Sequence, residues 1–208
     1  KEVITLQMKL SDSWTNYPLY FHELTSKKSQ IIYEDDKVEV HTIPLKHRIY
    51  TNGFLFKEKE SERNLDINAV LNANIDRAYF RKLKQGADVE NEDGILIKNE
   101  TVTKAPFPAK SYAFCSDTIY DEDIIPIIKN STVLYHESTF LEKNESLCKL
   151  TKHSTAKQAA TIAKKANVET LILGHYSTRY DGYDGFKNEA KAVFSNVLLS
   201  KDGKCFEF

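Results

Sequence analysis

Ser111-Tyr112-Ala113-Phe114-Cys115-Ser116-Asp117, Val133-Leu134-Tyr135-His136-Glu137 and Leu171-Ile172-Leu173-Gly174-His175 share one form: a short apolar run closes on residues of metal-binding or acid–base type. Runs of this length between polar stretches read as buried strands. In layered α/β structures the carboxyl ends of strands open into the ligand crevice, which predicts that Asp117, Glu137 and His175 converge although they lie far apart in sequence. Each is weak when taken singly, since an Asp after a strand serves equally well as a turn or cap residue. Two further imidazoles are expected in the same region, His47 at the end of a strand and His153 ahead of an alanine-rich helix. Neutral imidazole and carboxylate are ligands that zinc and similar borderline metals accept, and a carboxylate is able to bridge two ions. Cys115 is the competing thiol and reads as a buried strand residue, because no second thiol is near.

Outward from these runs the pattern changes twice. Upstream, strands are expected at Tyr17–Phe21, Gln30–Tyr33, Lys37–Leu45 and Phe54–Phe56, in an antiparallel sheet. Downstream, Ala156, Ala159, Ala160, Ala163 and Ala166 recur at helical spacing after Ser154, predicting a helix with one small, closely packed face. A second helix is expected around Lys187 to Phe194, and a last strand at Val197–Leu199. Between them, residues 57–104 carry nine basic and ten acidic residues and few apolar ones, the profile of an inserted, flexible arm. Arg77, Arg81, Lys82 and Lys84 surround Tyr79 and Phe80 to give it a basic face, and Glu90, Glu92 and Asp93 give it an acidic one. A solvated charged helix accounts for the same pattern.

The 208 residues, 41% of them hydrophobic, suffice for one domain of ordinary size or a large piece of one. Twenty-nine Lys and Arg against thirty Asp and Glu leave a net charge of -1, so no bulk basicity points to nucleic acid, although a local patch is compatible with it. No apolar run approaches the eighteen residues that argue for a membrane span. Three widely spaced cysteines without a CxxC pair suit a reducing, cytoplasmic setting. The sequence opens on Lys1 with its only methionine at Met8, which leads to the expectation that it begins inside something larger.

Five blocks in order carry a resemblance: Leu45-Lys46-His47-Arg48 with Gly53-Phe54, Phe114-Cys115-Ser116-Asp117-Thr118, His136-Glu137-Ser138-Thr139-Phe140, His153-Ser154-Thr155 with Gln158-Ala159-Ala160, and Leu173-Gly174-His175-Tyr176-Ser177-Thr178-Arg179-Tyr180. Together they resemble ribonuclease Z, the tRNA 3′-processing endonuclease of the metallo-β-lactamase superfamily. The resemblance implies an α/β fold, a metallo-β-lactamase-like αββα sandwich of which residues 1–208 form the carboxyl-terminal two thirds, incomplete at the amino-terminal side. That family's HxHxDH motif, expected upstream and supplying four of its seven usual ligand side chains, does not occur in these residues.

The resemblance further implies two zinc ions per active site, with His47 completing the first site, Asp117 bridging both and His175 completing the second. Glu137 would orient His153, which would stabilise or protonate the leaving O3′. Ser154 and Thr155 open a helix whose free N–H groups suit a phosphate. The arm at 57–104 corresponds to the exosite that grips the tRNA elbow, with Arg77, Arg81, Lys82 and Lys84 on phosphates. The glycine-proline element often seen there is replaced by Asp76-Arg77-Ala78-Tyr79. Precursor tRNA as substrate, a homodimer and a cytoplasmic, non-membrane setting follow from the same likeness. Two other functions compete: a phosphodiesterase of the same fold acting on small diesters, and a non-catalytic fragment or RNA-binding piece. His136 is expected to be structural, and His22 and His41 ordinary.

Overall fold

β-Branched and aromatic runs set the strands of the computed structural model, which describes residues 1–208. Seven strands form one mixed sheet in chain order: β1 (Ile31–Glu34), β2 (Val38–Lys46), β3 (Tyr50–Glu58), β4 (Ser111–Cys115), β5 (Val133–Glu137), β6 (Thr170–Gly174) and β7 (Val197–Leu199). From β1 to β4 neighbours are antiparallel, and from β4 to β7 they are parallel. Parallel neighbours deliver their carboxyl ends to one edge, so the residues after β4, β5 and β6 emerge side by side. Two antiparallel steps separate β2 from β4, so β2 also runs toward that edge and brings His47 with it.

Register decides which side chains meet. Leu55, Ala113, Leu134, Leu171 and Val197 are paired in line across the sheet, on the face that carries the main core of twenty buried residues. Helices α2 (Ala156–Ala166) and α3 (Asp184–Lys191) contribute to this core. The five alanines of α2 are fully buried, and their small side chains allow the helix axis to lie close to the strands. Thr155 starts α2 through a capping box with Gln158, and Asn167 ends it in the left-handed conformation. The opposite face of the sheet carries Phe54, Phe56, Tyr112, Phe114, Tyr135 and Leu198, with Phe114 stacked on Tyr135 at 4.8 Å. Phe56 and Leu198 on this face are 42% and 37% exposed.

The amino-terminal segment differs from expectation. Helix α1 (Glu2–Leu10) buries no residue, and Tyr17–Phe21 forms no strand. Pro18 withholds a ladder N–H, and the aromatic side chains of Tyr17 and Tyr20 stay exposed rather than finding a sheet face.

Between β3 and β4 the chain leaves the sheet. Asn64–Leu65 pairs with Thr103–Lys104 as a stem, beyond which lie the short helices Ile67–Asn72 and Phe80–Lys84. The segment's few apolar residues are gathered rather than scattered: Val70, Ile75, Leu83, Val89 and Val102 make a second, separate core. The buried Asn99 amide donates to Leu83 O and Ala87 O, closing the turn after Phe80–Lys84. No helix of the chain is long and apolar enough to cross a membrane.

Candidate metal centre

Where β4 and β6 end, the backbone turns sharply. Asp117 and His175 take left-handed conformations with φ of 57° and 58°, and Lys152, whose carbonyl meets His47, has φ of 62°. Such conformations are uncommon outside glycine and persist where the surrounding structure fixes them.

Ligand atoms of His47, Asp117 and His153 lie within 4.8 Å of one another, and His175 Nε2 is 3.3 Å from Asp117 Oδ1. The His153 ring sits between its fellows, 5.3 Å from the His47 centroid and 5.1 Å from that of His175. Asp117 and His175 have side chains 45% and 41% exposed, against 15% for His153 and none for Glu137. The two exposed groups therefore form a rim, with the carboxylate–imidazole pair beneath it.

Glu137 holds the floor together. Its Oε1 accepts from Thr118 N–H at 2.9 Å and His153 Nδ1–H at 2.7 Å. Its Oε2 accepts from Thr139 N–H at 3.2 Å, Thr139 Oγ1–H at 2.7 Å and Ser154 N–H at 3.0 Å. Burial works to raise the pKa of this carboxyl, but the donors His153, Ser154 and Thr139 outweigh it and hold the group below the usual carboxylate range. The Glu137 hydrogen bond raises the pKa of His153 in turn, against burial and the nearby Arg48 charge. With five donors already on it, Glu137 has no free lone pair for a metal ion.

A carbonyl oxygen only accepts, so His47 must donate its Nδ1–H to Lys152 O at 3.1 Å, leaving Nε2 as the nitrogen open to a ligand. His153 is likewise committed through Nδ1. An imidazole tied to a carbonyl or carboxylate through one nitrogen is the usual support of a metal-binding histidine. Imidazole nitrogens and a half-exposed carboxylate within reach of one point thus fit a zinc-type ion.

The structure brings together His47, Asp117, Glu137, His153 and His175, the five residues the sequence singled out for metal and acid–base roles. It corrects the expectation for Ser154 and Thr155. Both are buried, Ser154 N–H is used by Glu137, Thr155 N–H by Gln158 Oε1 and Ala156 N–H by Phe140 O. The capping box and the buried carboxylate consume the donors that a phosphate needs, so this helix start is closed to one. Arg77, Arg81, Lys82 and Lys84 are exposed on the arm, outside the cluster, and Lys82 Nζ lies 5.4 Å from the Tyr79 ring centre.

Cys115 is fully buried, and burial pushes its thiol pKa well up, as suits a strand residue rather than a ligand. His136 is also fully buried and donates Nδ1–H to Glu137 O at 2.7 Å. His41 pairs with Glu39 at 3.0 Å, away from the cluster. Sequence reasoning gave no role to Thr139, Arg48, Phe140 or Arg179. Phe140 meets the His153 ring edge-on at 6.5 Å, and the Arg179 guanidinium lies 5.4 Å from the Phe140 ring centre. Arg48 lines a groove of about 770 Å³ beside His47, together with Lys27, Lys28 and Tyr50. The only sequence signal of Thr139, Arg48, Phe140 and Arg179 is their position inside the matching blocks.

No protein-family model matches the chain. Ribonuclease Z of Bacteroides thetaiotaomicron is 40% identical over 189 residues, covering 91% of this chain and 60% of its own length. Ribonuclease Z of Cytophaga hutchinsonii is 39% identical over 206 residues, covering 99% and 66%. Ribonuclease Z of Bacteroides fragilis is 36% identical over 205 residues, covering 99% and 67%. The chain thus spans 60–67% of the length of these relatives. Among solved structures, the short form of human tRNase Z superimposes with a TM-score of 0.59 at 19% identity, covering 97% of this chain and 61% of that one. The metallo-β-lactamase fold protein YhfI from Bacillus subtilis gives 0.55 at 16%, covering 84% and 52%. At such identity the likeness is one of fold, and the fold is α/β of the metallo-β-lactamase type.

Proposed function

The chain belongs to the ribonuclease Z family, and from that premise we propose that it carries the catalytic edge of a zinc-dependent endoribonuclease, one that hydrolyses the phosphodiester 3′ of the discriminator base in precursor tRNA. The observation that supports this most is the gathering of His47, Asp117 and His175 around His153, which is itself paired with the buried Glu137. His47, Asp117 and His175 would hold the metal from this side.

Two zinc ions, when bound, supply Lewis acidity toward the phosphate and lower the pKa of water. The acid–base work falls to His153. The Glu137 hydrogen bond favours its protonated form, with Nδ1–H held on Glu137 and Nε2–H left to pass to the leaving O3′. Glu137 keeps the ring in place before and after that transfer and does not itself take up the proton.

Precursor tRNA is the substrate, and the exposed Arg77, Arg81, Lys82 and Lys84 of the arm contact phosphates of its elbow, adding affinity without sequence choice. The working unit is a cytoplasmic homodimer. In the full-length protein, Asp117→Ala is expected to lose bound zinc and precursor cleavage together, and by more than the roughly 10–100-fold that loss of a partner behind a ligand costs. Zinc content and cleavage rate are measured on the same preparation, and retention of either removes the reading. Deleting residues 59–104 separates this function from small-diester hydrolysis. Precursor cleavage is expected to disappear while a small diester is still cleaved; unchanged precursor cleavage would leave the arm without its role.

A further inference from the structure

The Glu137 carboxylate accepts from the backbone N–H groups of Thr118, Thr139 and Ser154, donors whose direction is fixed by their chemistry. The Thr139 hydroxyl lies between this carboxylate and a metal-side imidazole, 2.7 Å from Glu137 Oε2 and 2.9 Å from His175 Nδ1. A hydroxyl has one proton to give. A carboxylate takes that proton's hydrogen bond and offers none, so Thr139 Oγ1 faces His175 with a lone pair and Nδ1 must carry the hydrogen. In the neutral ring this leaves the lone pair on Nε2, the atom 3.3 Å from Asp117 Oδ1.

We propose that Thr139 is a positioning residue that relays Glu137 to His175, locking His175 in the Nδ1–H tautomer so that Nε2 and Asp117 confront each other as two acceptors, a pair that calls for a cation between them. The inference deepens the function proposed above and rests on its assignment of Asp117 and His175 as ligands. One carboxylate then sets two rings, His153 directly through Oε1 and His175 through Oε2 and the hydroxyl. Thr139 has little freedom to reverse this order, being buried with both its N–H and its Oγ1–H on the same Glu137 oxygen. Asp117 and His175 cannot easily draw apart either, since each sits on a left-handed backbone turn.

The test is nitrogen-15 NMR of the histidine rings in the metal-free chain at about pH 8, where ordinary imidazoles are neutral. His175 is expected as the Nδ1–H tautomer in the wild type and in Thr139→Ser. In Thr139→Val, which replaces the hydroxyl by a methyl of similar size, the Nε2–H tautomer should appear. Zinc affinity, read by competition with a chelating dye, should fall about 10–100-fold in Thr139→Val and return in Thr139→Ser. A wild-type ring in the Nε2–H form overturns the proposal, and this needs no variant to fold. So does a Thr139→Val spectrum identical to the wild type. The ring spectrum is read without metal, so the two readings fail separately. The expected tautomers in a protein that binds no zinc uphold the relay and remove the metal reading. Zinc binding with unchanged tautomers removes the relay alone.

Discussion

Two histidines that touch Glu137 are pushed in opposite directions. Burial lowers the pKa of His136, and the Glu137 hydrogen bond raises that of His153. A histidine whose folded pKa lies below its unfolded one binds protons more readily when unfolded. Its contribution to stability is therefore full above the ordinary imidazole value of about 6.5 and is lost as the pH falls below it. His153 has the reverse sign: its contribution is full below about 6.5 and is lost as the pH rises through its folded value. His136 Nε2 has no hydrogen-bond partner inside the core, so charging it there has nothing to offset the burial. His136→Phe, a planar apolar replacement, is accordingly expected to gain on the wild type as the pH is lowered from about 7.5 to about 5.5. Urea midpoints at the two pH values measure this, and a constant difference between the proteins refutes it.

At the level of elements, α2 depends on its first turn. Thr155→Ala removes the side-chain half of the capping box and is expected to cost about 1 kcal/mol, within roughly 0.5–2, in chemical denaturation. β3 depends on a missing side chain, since a Cβ on Gly53 would lie 2.3 Å from Phe114 O. Gly53→Ala forces a backbone shift and should destabilise by about 1–3 kcal/mol in the same assay. Much of this layer was legible in the sequence. The runs that became β4 to β7 are short, apolar and bounded by polar residues, and the alanine spacing of α2 has no other periodic reading. Asp117, Glu137 and His175 were legible for the same reason, each standing where a strand must end. Tyr17–Phe21 misled because its composition suits a strand while strand formation needs an available edge and face. Ser154 and Thr155 misled because the N–H groups of a helix start look free until the acceptors that claim them, Gln158 and the distant Glu137, are placed. Thr139 was silent because its role lies in two distances that no local pattern encodes.

The molecule as a whole has two cores, and they should fail separately. Leu83 is fully buried in the smaller one, so Leu83→Ala is expected to remove about 2–5 kcal/mol from the arm alone. Hydrogen exchange measures this: protection should drop across residues 64–104 while the amides of β4, β5 and β6 keep theirs. Loss of protection in the sheet as well would mean that the arm and the sheet fold as one unit. The face of the sheet turned away from α2 has a further consequence. Phe54, Phe56, Tyr112, Phe114 and Leu198 form an unevenly covered apolar surface, mostly aromatic, and water is a poor neighbour for it. Prepared on its own, the chain should therefore behave as an adhesive, brightening an environment-sensitive dye and sedimenting as heavier species when concentrated. Any polypeptide that lays its own strands across that surface should suppress both signals.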